Sequence, residues 1–324
     1  MKPKNIMSSE SLSLHMEVDH RFQLPNADVF KKSKRPLGSS GYLGAAGSNL
    51  DFETPRNMNP EQAAFEARTR EWIRLKSLDE LGEAYAEQAD SFRGRVFNSN
   101  TAQEIIPGYA VNRRLYNKST INAGRAISEG LFLRELDRVK KRGAGDTTVI
   151  IVTAGGPGSG KSSFIEGQIA SAEKAMRKIL VLDTTLQKKE SSEQLIEKAM
   201  ESGAVVRVSY IHTPVETAMR RNINRGGVHG GTNRLESAEM VGRGHFNAQR
   251  NFVEFASSDA FRKAGVVFEV FDNSVDRGNP RIVRNGVDFL NSGGIRYADE
   301  YETINRAARA SRERGTQKDT GVAG

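Results

Sequence analysis

The segment from Thr147 to Met176 constrains this chain more than any other. Within it, Gly155-Gly156-Pro157-Gly158-Ser159-Gly160-Lys161-Ser162 fits the phosphate-binding pattern G-x-x-x-x-G-K-[ST] at every fixed position. The pattern describes a physical device: glycines let the backbone curl so that N–H groups point inward at a polyphosphate, lysine adds a positive charge, and serine offers an oxygen to Mg²⁺. Its neighbours have the right character. Thr147 to Thr153 is β-branched and nearly all apolar, as a strand buried on both faces must be. Downstream, Ile165, Ile169, Ala172 and Met176 recur on one helical face. The helix would begin at the loop, with its N-terminal dipole aimed at the phosphates.

That unit opens an alternating series. Apolar strands are predicted at 147–154, 179–183, 204–211 and 265–271, with helices at 161–177, 190–202, 214–225 and 236–263. Alternation of this kind builds a parallel sheet with helices on both faces, and ligands bind at the carboxyl edge of the strands. The predicted fold class is therefore α/β, with a mostly helical region before it. Helices are expected over 59–92, where Asn59-Pro60-Glu61 supplies a start, and over 119–140, closed by Lys140-Lys141-Arg142-Gly143. The turns between them, 92–98 and 102–109, carry no pattern that assigns a role. Residues 1–56 read as a flexible segment whose basic run, Lys31 to Arg35, is a solvated linker charge rather than a localisation signal. The organisation that results is a flexible segment (1–56), a helical extension (57–143), a nucleotide-binding domain (144–290) and a tail (291–324).

Composition narrows the chemistry. The absence of cysteine among 324 residues excludes disulfides, thiolate metal sites and cysteine nucleophiles, and agrees with a reducing compartment. No run approaches the roughly 18 apolar residues that cross a bilayer, so a membrane is not expected as a partner and a cytoplasmic location is. The net charge of +8 fits a nucleotide site plus solvated surface; without interleaved aromatic and basic residues, nucleic acid is not expected as a partner.

Around the loop, Asp183 ends the second strand of the series and would emerge on the same edge. A carboxylate there holds Mg²⁺ or takes a proton from an attacking hydroxyl; the alternative is an ordinary helix-capping aspartate. Thr184, Thr185 and Gln187 follow it as candidate substrate contacts. After the third strand, Arg220, Arg221, Arg225, Arg234 and Arg243 surround the glycine-rich run 226–231. Mobile glycines carrying arginines suit a lid that excludes water and presents planar guanidinium groups to phosphate. His245 is either a substrate or nucleotide contact or a buried structural histidine.

Together, the loop Ala154 to Ser163, the strand end Val181-Leu182-Asp183-Thr184-Thr185-Leu186, the segment Val206 to Glu216, the stretch Arg234 to His245 and the strand end Phe268 to Ser274 resemble the zeta-toxin family of P-loop kinases. These include the toxin halves of some bacterial toxin–antitoxin systems and related effectors. The likeness covers about residues 147–274, and the upstream segments Gly94 to Asn98 and Glu104 to Tyr109 are similar to the helical extension of longer members. The resemblance implies ATP-dependent phosphorylation of a hydroxyl on a small nucleotide-containing metabolite such as UDP-N-acetylglucosamine or NAD. It carries over Lys161 as phosphate ligand, Ser162 as Mg²⁺ ligand, Asp183 as base, Arg234 as lid arginine and the loop Gly155 to Ser163 as the ATP cradle. It further implies an antitoxin or chaperone as protein partner, and export into a host cell as an alternative to cytoplasmic residence. One departure stands out: the family's acidic pair and an extra strand after the second strand are missing here, so Asp183 matches either the base or the Mg²⁺-side position. Two other function classes remain open, a nucleic-acid end kinase or nucleic-acid-dependent ATPase, and a non-catalytic nucleotide-binding interaction protein.

Overall fold

The structure, a computed structural model, describes residues 50–143, 148–227, 238–275 and 280–292. The segment 1–49, the tail beyond 292 and Arg234 lie outside these residues, so the expectations made for them are not addressed.

Helix caps decide the upstream region. The first helix, α1 (Pro60–Arg74), starts with a reciprocal capping box: Asn59 accepts the Gln62 N–H at 2.8 Å, and Gln62 accepts the Asn59 N–H at 3.1 Å. Ser77 and Glu80 repeat the device at the start of α2 (Leu78–Ala86). The single helix predicted over 59–92 is therefore two, because Ser77-x-x-Glu80 encodes a second N-terminus. Next come β1 (Val96–Asn98), α3 (Ser99–Glu104) and the long α4 (Arg113–Arg142). The last starts at Arg113 rather than Ser119 because the Asn112 side chain accepts the Leu115 N–H.

The alternating region follows as β2 (Val149–Ala154), α5 (Lys161–Lys174), β3 (Ile179–Asp183), α6 (Lys189–Glu201), β4 (Val205–His212) and α7 (Val215–Gly227). It continues with α8 (Ala238–Ala256), α9 (Asp259–Lys263), β5 (Val267–Asp272), β6 (Arg281–Ile282) and α10 (Gly286–Ser292). The four strands and the α/β class expected from the apolar runs are present. The helix expected over 236–263 breaks at Ser257-Ser258, where Ser258 starts α9.

The sheet order is β1-β3-β2-β4-β5-β6, parallel except for β6, which pairs antiparallel with β5. This is a parallel sheet of P-loop kinase type, preceded by a mostly helical region. Its outermost parallel strand, β1, is drawn from upstream of the phosphate loop. Val96, Phe97 and Asn98 stand opposite Val181, Leu182 and Asp183. A stretch without legible pattern thus becomes a sheet edge.

Both faces are covered. Ile150, Val152, Leu182, Val206 and Val208 point into one core shared with α1, α2, α4, α6 and α8. Val149, Ile151, Ile179 and Val181 point the other way, against Phe164, Ile165 and Ile169 of α5. The upstream helices belong to the first core: Phe97 meets Phe132 of α4 with ring centres 5.5 Å apart, and Phe65 stacks on Tyr116 at 3.9 Å. No described helix is long and apolar enough to cross a membrane.

Candidate active site

Five parallel strands end at one edge, and polar residues collect there. Asn98 ends β1, Asp183 ends β3, the phosphate loop follows β2, Thr213 follows β4, and Asn273 follows β5.

The loop connects β2 to α5 and is fastened from behind. Asn273 Nδ2 donates to the Ser159 carbonyl at 2.7 Å, and Thr213 Oγ1 lies 2.9 Å from the same oxygen. Arg221 of α7 spreads its fork over this region. Its Nη1 is 3.4 Å from the Gly158 carbonyl and from Thr213 Oγ1, and its Nη2 is 3.1 Å from the Asn273 carbonyl. Gly160 has φ +92°, and a Cβ there would stand 2.1 Å from Asn273 Nδ2. Glycine at this position is thus required twice, by backbone conformation and by space.

With the Pro157, Gly158 and Ser159 carbonyls held from behind, the first turn of α5 opens onto the edge. Gly160 has no side chain to cap that turn, so the leading N–H groups of Lys161, Ser162 and Ser163 face the site without a side-chain partner from the cap. The Lys161 ammonium lies across the loop, 2.9 Å from the Gly155 carbonyl and 3.3 Å from that of Gly156. Ser162 and Ser163 are exposed at the mouth.

His245 of α8 sits behind the loop rather than in its mouth. It is fully buried, and its Nε2 is 2.9 Å from the Pro157 carbonyl. A carbonyl only accepts, so Nε2 carries the proton, while the equally buried Nδ1 has no partner. Burial pushes its pKa down to about 4, against the opposing pull of the Pro157 carbonyl. This is a neutral bracing histidine. Its ring also fills the space beside Gly156, where a Cβ would lie 2.0 Å from Cδ2.

Asp183 is half-buried and held on both oxygens. Thr153 Oγ1, two residues before the loop, lies 3.1 Å from Oδ1, and Asn98 Nδ2 donates to Oδ2. The carboxylate is therefore one hydrogen bond away from the strand that carries the phosphate loop. Thr184 joins through its backbone, its N–H donating to Thr153 Oγ1 at 3.2 Å; Thr185 is half-buried beside it. Leu186 then takes a left-handed φ of +54°, an uncommon conformation for a large side chain, and is held there by Asn251 of α8, whose Nδ2 donates to its carbonyl at 2.7 Å. Since α8 also carries His245, one helix braces both loops.

No protein-family model matches this chain, and no curated protein matches it. Among solved structures, a chain of the native AvrRxo1-ORF1:-ORF2 complex is similar, with a TM-score of 0.35 and 14% identity. The match covers 47% of this chain and 65% of that one, so less than two thirds of its length is spanned. A likeness that slight assigns no family.

The arginines separate by position. Arg220 and Arg243 are exposed, Arg225 lies in α7 with its side chain outside the described residues, and Arg234 lies outside them altogether. Arg221, expected with them as a lid arginine, instead reaches the back of the loop at the Gly158 carbonyl. Asn98, Thr153, Thr213, Asn251 and Asn273 are site residues that the sequence did not single out. Thr213 and Asn273 had a usable signal, since each directly follows a predicted strand; Asn98 and Asn251 had none.

Chemically, the edge offers the uncapped first turn of α5, the Lys161 ammonium, the Ser162 and Ser163 hydroxyls and the oriented Asp183 carboxylate. That donor set suits a polyphosphate anion. Ser162 Oγ and Asp183 are hard oxygen donors, of the kind Mg²⁺ takes together with phosphate oxygens and water.

Proposed function

We propose that this chain is an ATP-dependent kinase that transfers the γ-phosphoryl group to a hydroxyl of a small, nucleotide-containing metabolite. The observation that carries the reading is the juxtaposition of the Gly155–Ser163 loop with Asp183, through Thr153 on the loop's own strand. A phosphate loop alone would serve any nucleotide-binding protein. A carboxylate held at its side, with lone pairs left over after Thr153 and Asn98, adds what an acceptor hydroxyl requires.

In this reading the loop amides and the first turn of α5 bind the β- and γ-phosphates, and the Lys161 ammonium leaves the Gly155 and Gly156 carbonyls for phosphate oxygens. Ser162 would hold Mg²⁺, which when bound would neutralise charge on the phosphate oxygens; Asp183 is then left to serve as the base. The acceptor oxygen forms a bond to the γ-phosphorus while the bond from that phosphorus to the β–γ bridging oxygen breaks. ADP leaves with that electron pair, and the hydroxyl proton passes to Asp183. Catalysis rests on placement and charge, so the bracing by Asn273, Thr213, Arg221 and His245 belongs to the mechanism as much as the contacts do.

The test is incubation of the purified protein with ATP, Mg²⁺ and a metabolite extract, followed by mass spectrometry for species that gain one phosphate. One or a few nucleotide-containing products are expected, absent with Lys161→Ala and with Asp183→Ala. Undiminished transfer by both variants would overturn the proposal. ATP hydrolysis stimulated by nucleic acid, with no metabolite product, would move the assignment to the nucleic-acid class.

A further inference from the structure

Asn98 lies 85 residues upstream of Asp183, yet it closes the site. Its amide is oriented without ambiguity. Oδ1 accepts the backbone N–H groups of Asn100 at 2.6 Å and Thr101 at 3.3 Å, so Nδ2 faces β3 and donates to Asp183 Oδ2. The strand beneath is anchored on its own terms. The buried Tyr85 hydroxyl donates to the Val96 carbonyl at 2.8 Å and accepts the Asn98 N–H at 2.8 Å. Burial in this setting raises the Tyr85 pKa, so the hydroxyl stays protonated and keeps both bonds. Gly124 of α4 fixes the other side, where a Cβ would stand 2.5 Å from the Ser99 carbonyl. The Asn98 amide therefore cannot drift, and neither can the carboxylate oxygen it holds.

We infer that Asn98 is a positioning residue for Asp183, so that the upstream helical region completes the catalytic site by contributing one strand and one amide. The inference rests on the kinase reading above. It deepens that reading by making residues 96–101 part of the acceptor side. Thr153 and Asn98 grip the two oxygens of Asp183 from opposite flanks, one from β2 and one from β1. With both in place the carboxylate has one orientation; with Asn98 removed it can rotate about its remaining contact.

Two substitutions separate positioning from folding, because each keeps a side-chain oxygen able to cap α3. Asn98→Ser is too short to reach Asp183. Asn98→Asp has the same size but sets a second carboxylate against the first. Both are expected to lower kcat for phosphoryl transfer by about 30-fold or more, as losses of outer-shell partners do. The KM for ATP should stay within about threefold, since the loop is braced elsewhere, and thermal unfolding should stay close to wild type. Asn98→Asp should be the weaker enzyme of the two. A kcat within about threefold of wild type in both variants would overturn the inference and leave the kinase reading intact. If the wild-type protein itself transfers no phosphate, the kinase reading fails instead. The inference is then decided by crystal structures of wild type and Asn98→Ser: a carboxylate of Asp183 that turns away in the variant supports it, and an unmoved one overturns it.

Discussion

The two halves of the candidate site are built by different means. The phosphate side is one continuous stretch, Gly155 to Ser163, supported from behind by side chains of Thr213, Arg221, His245 and Asn273. The acceptor side is assembled from strand ends far apart in the chain, Asn98 and Asp183, meeting through single side-chain bonds. The first is a local device that would form in outline wherever a strand–loop–helix unit folds. The second exists only once β1 has docked on β3. Both sides are braced by the fold, but the phosphate side takes its chemistry from one continuous stretch, whereas the acceptor side takes it from separate strands.

The largest effect expected from this contrast is at Lys161. Lys161→Ala removes the ammonium that meets the γ-phosphate, and should lower kcat by about 10³-fold or more. Because the side chain rests on loop carbonyls rather than in a core, unfolding midpoints should hardly move. A steady-state assay beside a thermal melt checks both. Loss of activity together with collapse of the melt would erase the distinction between a local device and its scaffold.

What could be read from the sequence follows the same division. The strand, loop and helix around Lys161 were legible because pattern and chemistry coincide within thirty residues or so. The α/β class was legible from Val149–Thr153, Ile179–Leu182, Val205–Ile211 and Val266–Phe271, whose apolar runs have the length of buried strands. β1 was not, because three residues are too few to show a period of two, and only Val96 and Phe97 of them are apolar. Asn98 could not be paired with Asp183 without knowing that an upstream strand takes the edge. Arg221 and Arg220 differ by one residue, and only the rotation of α7 decides which of them meets the loop. His245 was legible as either contact or brace; burial against Gly156 made it a brace.

A second effect sets two buried groups against each other through pH. Glu129 of α4 is buried, and burial raises its pKa from 4.5 to about 7, partly offset by Arg125 and Lys188. A raised folded-state value means a stability contribution that is complete below pH 4.5 and lost as pH climbs through about 7. On the phosphate side, His245 is shifted from 6.5 down to about 4, so its contribution is complete above pH 6.5 and lost as pH falls through about 4. The slopes oppose each other in the wild-type chain. Glu129→Gln removes one of them, so between pH 5 and 7 its unfolding free energy should rise relative to wild type by about 2 kcal/mol. Urea unfolding at the two pH values measures this, and parallel profiles would show that Glu129 does not titrate differently in the folded state.

A comparable effect, confined to the loop, is expected from Gly160→Ala. The new Cβ would meet Asn273 Nδ2, so the amide must leave the Ser159 carbonyl, and φ of +92° is unfavourable for alanine in any case. The KM for ATP should rise by about 30-fold, in the range set by losing one or two aligned phosphate donors. Gly203 provides the control. It has a similar φ of +78° but nothing near its missing Cβ, so Gly203→Ala should cost about 1 kcal/mol of stability while kinetic constants hold. If both variants raise KM alike, the effect is general destabilisation and not loop geometry.

The smallest effect separates charge from shape. Arg221 reaches the Gly158 and Asn273 carbonyls and Thr213 Oγ1 with two different nitrogens, and Nη2 also lies 3.4 Å from the Val275 carbonyl. A planar fork spans these acceptors; a single ammonium cannot. If the fork holds the loop, Arg221→Lys and Arg221→Ala should both raise the KM for ATP by about tenfold, because each loses the span. If Arg221 matters only as a positive charge near the phosphates, lysine should restore most of the affinity that alanine removes. The first outcome keeps the phosphate side as a shaped cradle whose bracing is specific. The second would make it a local field that tolerates looser support, and the contrast with the acceptor side would then lie in the kind of interaction as well as in where the residues come from.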